Sequence, residues 1–216
     1  MKNQKLNPQK SLGIISGAGP MAGAVFLQQL ISAYQSYGAW QDNDFPLIQL
    51  INYPFSDMLS DDYAKIKIEQ ELLTCINQLE QHCDYIIICC QTLHLFLPDA
   101  YQNHKLINIF SVLQEALPKN KLHVIASKTS AINKIHEIAL KRTCEYIMVE
   151  KAQLLINQIL MGKSVDVSEI EDIAEKQMLL LGCTEFSIAF ANRKTKCIDP
   201  YPYLINKVIH LLQQTI

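Results

Sequence analysis

No run of apolar residues in this 216-residue sequence approaches the roughly 18 needed to cross a bilayer. Even the segment at 85–90 gives way within a few residues to Gln91, Thr92 and His94. Residues 1–10 are polar and lack the apolar stretch of a secretory signal, so a cytoplasmic, soluble protein is expected. There is no excess of positive charge: the formal net charge is -2, with Lys and Arg scattered along the chain. A phosphate backbone needs a basic stripe to neutralise it, so nucleic acid is not an expected partner. No Cys-x-x-Cys occurs among the seven cysteines, and His82-Cys83 stands without a second ligand pair, which argues against a zinc site. An odd number of cysteines in a reducing compartment also argues against a disulfide framework. Free thiols are expected, and Cys75, Cys83, Cys144 and Cys197 read as ordinary packing residues. No linker rich in Gly, Pro or Ser divides the chain.

What is present is an apolar fraction of 49%, enough to bury a sizeable core. Short Ile-, Val- and Leu-rich runs at 12–15, 47–51, 85–90, 106–110, 122–126, 146–149 and 178–181 read as buried parallel strands. Between them, helical periodicity marks 21–34, 63–82, 131–141, 151–161 and 203–213, with a short helix at about 168–176. Alternating strands and helices predict an α/β fold. The two halves echo each other. Leu12-Gly13-Ile14-Ile15-Ser16-Gly17 leads on to Cys90-Gln91-Thr92, while Val124-Ile125-Ala126-Ser127-Lys128-Thr129-Ser130 leads to Cys183-Thr184-Glu185. The expectation is two pseudosymmetric Rossmann-like lobes, each a parallel sheet flanked by helices, with the active site in the cleft between them. The first lobe would span 1–106 plus 200–216, the segment after Asp199-Pro200 returning to it, and the second 107–199. Ligands in open α/β sheets bind beyond the carboxyl ends of the strands, which would set both cysteines across one pocket.

Moving a proton from one face of a carbon to the other requires a base on one side and an acid on the other. Cys90 and Cys183 could supply both. A thiol of ordinary pKa, about 8.5, costs about 2 kcal/mol to hold as thiolate near pH 7. If Thr92 and Thr184 open helices, their free N–H groups would lower that cost. The carbanion then needs donors aimed at its carboxylate, and Ser16, Thr92, Thr129, Ser130 and Thr184 are candidates. On an extended strand Cys89 points opposite to Cys90, which assigns Cys89 to the core. Gly17-Ala18-Gly19-Pro20 lacks the third glycine of a dinucleotide-binding turn and reads as a tight turn whose amides approach a small anion. His94 and Glu185 could reach the pocket, His94 as a donor and Glu185 as an orienter of a thiol or an ammonium. Tyr53 and Phe55 read as core packing.

Five motifs, in order, resemble the aspartate/glutamate racemase family across nearly the whole chain. Residues 13–20, Gly-Ile-Ile-Ser-Gly-Ala-Gly-Pro, look like its opening glycine loop, and Asn52-Tyr53-Pro54 like its substrate-facing segment. Cys90-Gln91-Thr92-Leu93-His94 is similar to its first cysteine motif, Gly182-Cys183-Thr184-Glu185 to its second, and Ile198-Asp199-Pro200 to the lead into its last helix. The resemblance implies a cofactor-independent amino-acid racemase, commonly a homodimer, with Cys90 and Cys183 catalytic and aspartate or glutamate the leading substrates. It also implies that Ser16, Asn52, Gln91, Thr92, Thr129, Ser130, Thr184 and Glu185 contact the substrate. Two departures stand out. Gln91 replaces the usual Asn, and Met58 lies in a loop lacking the arginine that resembling aspartate racemases use for the side-chain carboxylate, for which Lys128, Lys151 or Lys163 could substitute. Hydantoin racemase, maleate isomerase and arylmalonate decarboxylase chemistry, or an amino-acid-binding protein without turnover, remain alternative readings of the same cleft.

Overall fold

Burial on both faces explains why the strands read as unbroken apolar runs rather than alternating ones. In the computed structural model, which describes residues 8–58, 63–98, 101–191 and 193–213, β1 (Leu12–Ser16) is buried at every position. It lies between β2 (Ile48–Asn52) and β3 (Tyr85–Ile88), with β4 (Leu106–Ile107) beyond, all parallel in the order β2-β1-β3-β4. A second parallel sheet has the order β6-β5-β7, from β5 (Leu122–Ile125), β6 (Cys144–Tyr146) and β7 (Leu179–Leu181). The α/β class and the two flanked sheets are as expected. Parts of the expected first lobe, residues 1–7 and 214–216, lie outside the described residues.

Helix α1 (Pro20–Ser36) starts with proline at its first position, where the missing N–H costs nothing, and buries Ala22, Phe26, Leu30 and Tyr34 at helical spacing. Helix α2 (Lys65–Glu80) does the same with Ile68, Leu72, Ile76 and Leu79. Three readings of the sequence need correction. The apolar run 106–110 is a strand for only two residues. The Asn108 side chain accepts hydrogen bonds from the Phe110 and Ser111 amides and so starts α3 (Ile109–Ala116), which buries Ile109, Phe110, Val112 and Leu113. The helix read at 131–141 is two, α4 (Lys128–Ile132) and α5 (Ile135–Leu140), because Lys134 takes a left-handed conformation between them. The strand read at 146–149 sits earlier, at β6; Met148 is left-handed, and Val149 opens α6 (Val149–Leu160).

The remaining helices are α7 (Ser168–Ala174), α8 (Thr184–Phe190) and α9 (Pro200–Leu212). Asp199 caps α9 by accepting from the Tyr201 amide, and Pro200 follows at the first helical position. Tyr201 then donates to the Ala22 carbonyl at 3.1 Å and meets Phe26 edge-on, so α9 packs against α1 as well as α3. One apolar cluster joins Leu12 and Ile14 of the first sheet to Val124 and Leu180 of the second through Leu204 and Val208 of α9. The sheets are therefore held in a fixed relation, on which any site between them depends. No helix among the described residues is long and apolar enough to cross a membrane.

Candidate active site

Loops from the carboxyl ends of strands in both sheets meet at one cavity of about 180 Å3. From the first sheet come Gly17, Ala18 and Gly19 after β1, the segment from Phe55 to Met58 after β2, and Cys90 and Thr92 after β3. From the second come Ser127 after β5, Cys183 and Glu185 after β7, and Ile156 and Leu160 from α6. Parallel strands all deliver their carboxyl ends to the same side of a sheet, which is why residues so distant in sequence converge.

The glycine turn holds the wall nearest β1. Gly17 and Gly19 both have positive φ, at 112° and 81°, and bridge to each other across Ala18. A Cβ on Gly17 would overlap the Tyr53 backbone carbonyl, so the turn can close against the β2 loop only without a side chain. Replacing Gly17 with alanine is expected to cost about 1–3 kcal/mol through left-handed strain and overpacking, read as a lower urea midpoint. The β2 loop is tied at two points. Glu71 accepts from both the Ser56 amide and its hydroxyl, at 2.9 and 2.8 Å, and Thr129 donates to the Met58 carbonyl at 2.6 Å.

Cys90 and Cys183 both line the cavity and are both buried. Cys89 packs in the core on the opposite side of its strand, as alternation requires. The Cys183 thiol donates to the Glu185 carboxylate at 2.8 Å. Burial pushes the Cys90 thiol up to about 12, and the Glu185 charge adds to the rise; backbone N–H groups of Leu93 and Thr92 pull the other way and lose. Burial and the adjacent Glu185 likewise push Cys183 well up, with Cys90 contributing. The helix-start amides lower the cost of the thiolate at Cys90 as expected, but desolvation outweighs them. Glu185 is itself pushed up by burial, against the stabilising bond from Cys183.

Three hydroxyls join the two halves beside the thiols. Thr92 Oγ1 lies 2.9 Å from Ser130 Oγ and 3.3 Å from Ser127 Oγ, and the two serines are 3.1 Å apart. Of the expected substrate contacts, Thr92 and Glu185 line the cavity, while Ser130 backs Thr92 and Thr129 fixes the β2 loop. Ser16 and Thr184 are buried behind the lining, and their hydroxyls have no protein partner among the described residues. Asn52 ends β2 with its side chain exposed and outside the lining.

Gln91 does not face the cavity either: it donates to the Leu181 carbonyl at 2.9 Å and its Oε1 lies 3.1 Å from His136 Nε2. His94 is half-buried behind the lining, with Nδ1 3.1 Å from the Cys90 carbonyl and its ring against Phe110; desolvation pulls its pKa down to about 4. Phe55, read as core, lines the cavity, and Tyr53 packs on it with ring centroids 5.0 Å apart. Five lining residues escaped the sequence reading, Ser56 and Asp57 of the β2 loop among them. Ser127 was legible as the N-cap of a helix following a strand, since its Oγ accepts from the Ser130 amide. Ile156 and Leu160 look like any apolar helix face, and only the packing of α6 distinguishes them.

Two parallel sheets flanked by helices make a two-lobe α/β fold that matches solved racemases. No family model matches the sequence. The fold is similar to that of Picrophilus torridus aspartate racemase, with a TM-score of 0.73, 21% identity and 96% of both chains covered. It is also similar to an aspartate racemase homologue from Pyrococcus horikoshii, at TM-score 0.71 and 16% identity, covering 95% of this chain and 100% of that one. Glutamate racemase from Francisella tularensis, solved with D-glutamate, matches at TM-score 0.62 and 17% identity, covering 97% of this chain and 85% of that one. At these identities the likeness establishes a shared fold.

Proposed function

We propose that the protein is an amino-acid racemase of the aspartate/glutamate racemase type, exchanging the α-proton between Cys90 and Cys183 without a cofactor. The observation that carries this reading is the delivery of one thiol from each sheet to a single small cavity. A void of roughly 150 Å3 holds a ligand the size of benzene, so about 180 Å3 suits a small amino acid.

In the reaction, the thiolate of one cysteine takes the proton from Cα, and the C–H electron pair moves onto the substrate carboxylate. The thiol opposite gives its proton to the other face, so the two sulfurs exchange protonation states and the substrate inverts. The cluster of Thr92, Ser127 and Ser130, with the amides that follow Cys90, supplies donors for the charge that builds on the carboxylate. Glu185 sits where it can accept the substrate ammonium while it orients Cys183. An ammonium entering the cavity brings the positive charge that the buried thiols lack, and this lowers the cost of forming the thiolate when substrate is bound.

Incubation with single enantiomers in deuterated water tests the proposal. Racemisation places deuterium at the α-carbon and removes optical rotation together. Saturable binding in a calorimeter with no deuterium uptake from any amino acid would favour an amino-acid-binding protein instead.

A further inference from the structure

From the lining of the cavity we infer the substrate class: an amino acid with a single carboxylate and a neutral, apolar side chain. This rests on the racemase reading and narrows it. Among the described residues, no Lys, Arg or His faces the cavity. Its charged groups are both carboxylates, Glu185 deep beside Cys183 and Asp57 exposed at the rim. The candidate lysines lie elsewhere. Lys151 pairs with Glu169, Lys163 borders a separate surface hollow, and Lys128 is absent from the lining although its neighbour Ser127 is part of it.

A neutral amino acid brings one carboxylate and one ammonium. The hydroxyl cluster and the amides after Cys90 match the first, and Glu185 matches the second. A dicarboxylic acid brings a further anion, which would sit unpaired among apolar walls with two carboxylates for neighbours. Those walls are Ala18, Phe55, Met58, Ile156 and Leu160, surfaces suited to a short aliphatic side chain. Once Glu185 holds the substrate ammonium, the carboxylate of the lining that remains for a long cationic side chain is Asp57, exposed at the rim.

The full-length protein, given the L and D forms of alanine, valine, methionine, aspartate, glutamate and lysine in deuterated water, provides the test, with mass spectrometry of the α-position and calorimetry on the same panel. We expect deuterium uptake from the neutral amino acids at least about 100-fold faster, as kcat/KM, than from aspartate, glutamate or lysine. Exchange of aspartate, glutamate or lysine at an equal or greater rate overturns the substrate class and leaves the racemase reading standing. Selective binding of neutral amino acids without exchange supports the class and overturns the reaction. Absence of both binding and exchange overturns both. Met58→Arg, which places a cation on the wall, is expected to raise the relative kcat/KM for dicarboxylic acids by about 10-fold or more; no change in that ratio, in a variant that melts like the parent, counts against the inference.

Discussion

Cys90→Ser and Cys183→Ser are each expected to lower racemisation by about 1,000-fold or more, because general acid–base catalysis by a positioned group contributes on the order of 100- to 10,000-fold and the reaction uses both groups in every turnover. A serine hydroxyl is far less acidic than a thiol and cannot take over either role. The two losses do not add: the double variant is expected to be about as slow as either single one, since removing one member of a unit already stops the cycle. Each variant retains half of a two-base site, so any residual deuterium uptake is expected from one enantiomer only, and from opposite enantiomers in the two variants. Both positions are buried and the substitution changes volume little, so melting temperatures within a few degrees of the parent are expected. Circular dichroism checks both quantities, and unchanged turnover in either variant removes that cysteine from the mechanism.

The pH profile follows from burial. Desolvation disfavours the charged form, and it holds Cys90 up at about 12 in the free protein and Cys183 well above its ordinary value. A base must be deprotonated to act, so the competent fraction of free enzyme grows as pH rises. Accordingly kcat/KM, which reports the free enzyme, is expected to climb from about pH 6 to about pH 9 without a plateau. A plateau at or below about pH 7 would mean that the helix-start amides outweigh burial after all. The same shift has a sign for stability: a thiol raised in the folded state contributes fully below its unfolded value near 9, and the contribution is lost as pH rises from there towards 12.

Which features were legible in the sequence divides along physical lines. Short apolar runs buried on both faces, such as 12–15 and 122–126, are strands, and strand-end cysteines with matching flanks pointed to a shared cleft. Local chemistry is legible too. Asn108 is a helix cap in plain sight, and it turns the second half of the run at 106–110 into α3. Side-chain direction beyond the strand ends was not legible. Cys90, Gln91 and Thr92 are consecutive, yet the chain bends into a short 3-10 turn there, so that Cys90 and Thr92 face the cavity and Gln91 faces away. Periodicity says nothing about such a bend, and α6 contributes Ile156 and Leu160 to the wall only because of how the second sheet packs.

The bend at Gln91 creates the second large effect. Its amide N–H donates to Leu181, two residues before Cys183, so its Oε1 is left to accept from His136 Nε2–H. That fixes the histidine tautomer: Nδ1 is unprotonated and accepts from the Tyr146 hydroxyl, 3.2 Å away, which itself accepts from the His136 amide. Burial pulls His136 down to about 3, so the chain of bonds is neutral at physiological pH. Gln91→Leu keeps the volume but leaves a buried N–H on His136 and the Leu181 carbonyl each short of a partner, at about 1–3 kcal/mol per group. A loss of about 2–6 kcal/mol is expected, lowering the melting temperature by about 4–24 °C for a chain of this size. Gln91→Asn, one methylene shorter, cannot span both partners and is expected to fall between the two. Because this side chain links the turn after Cys90 to the end of β7, two residues before Cys183, turnover is expected to drop with stability, at least about 10-fold in kcat. A Gln91→Leu protein that melts within a degree of the parent would show that the bridge across the sheets contributes nothing to holding the two thiols in register.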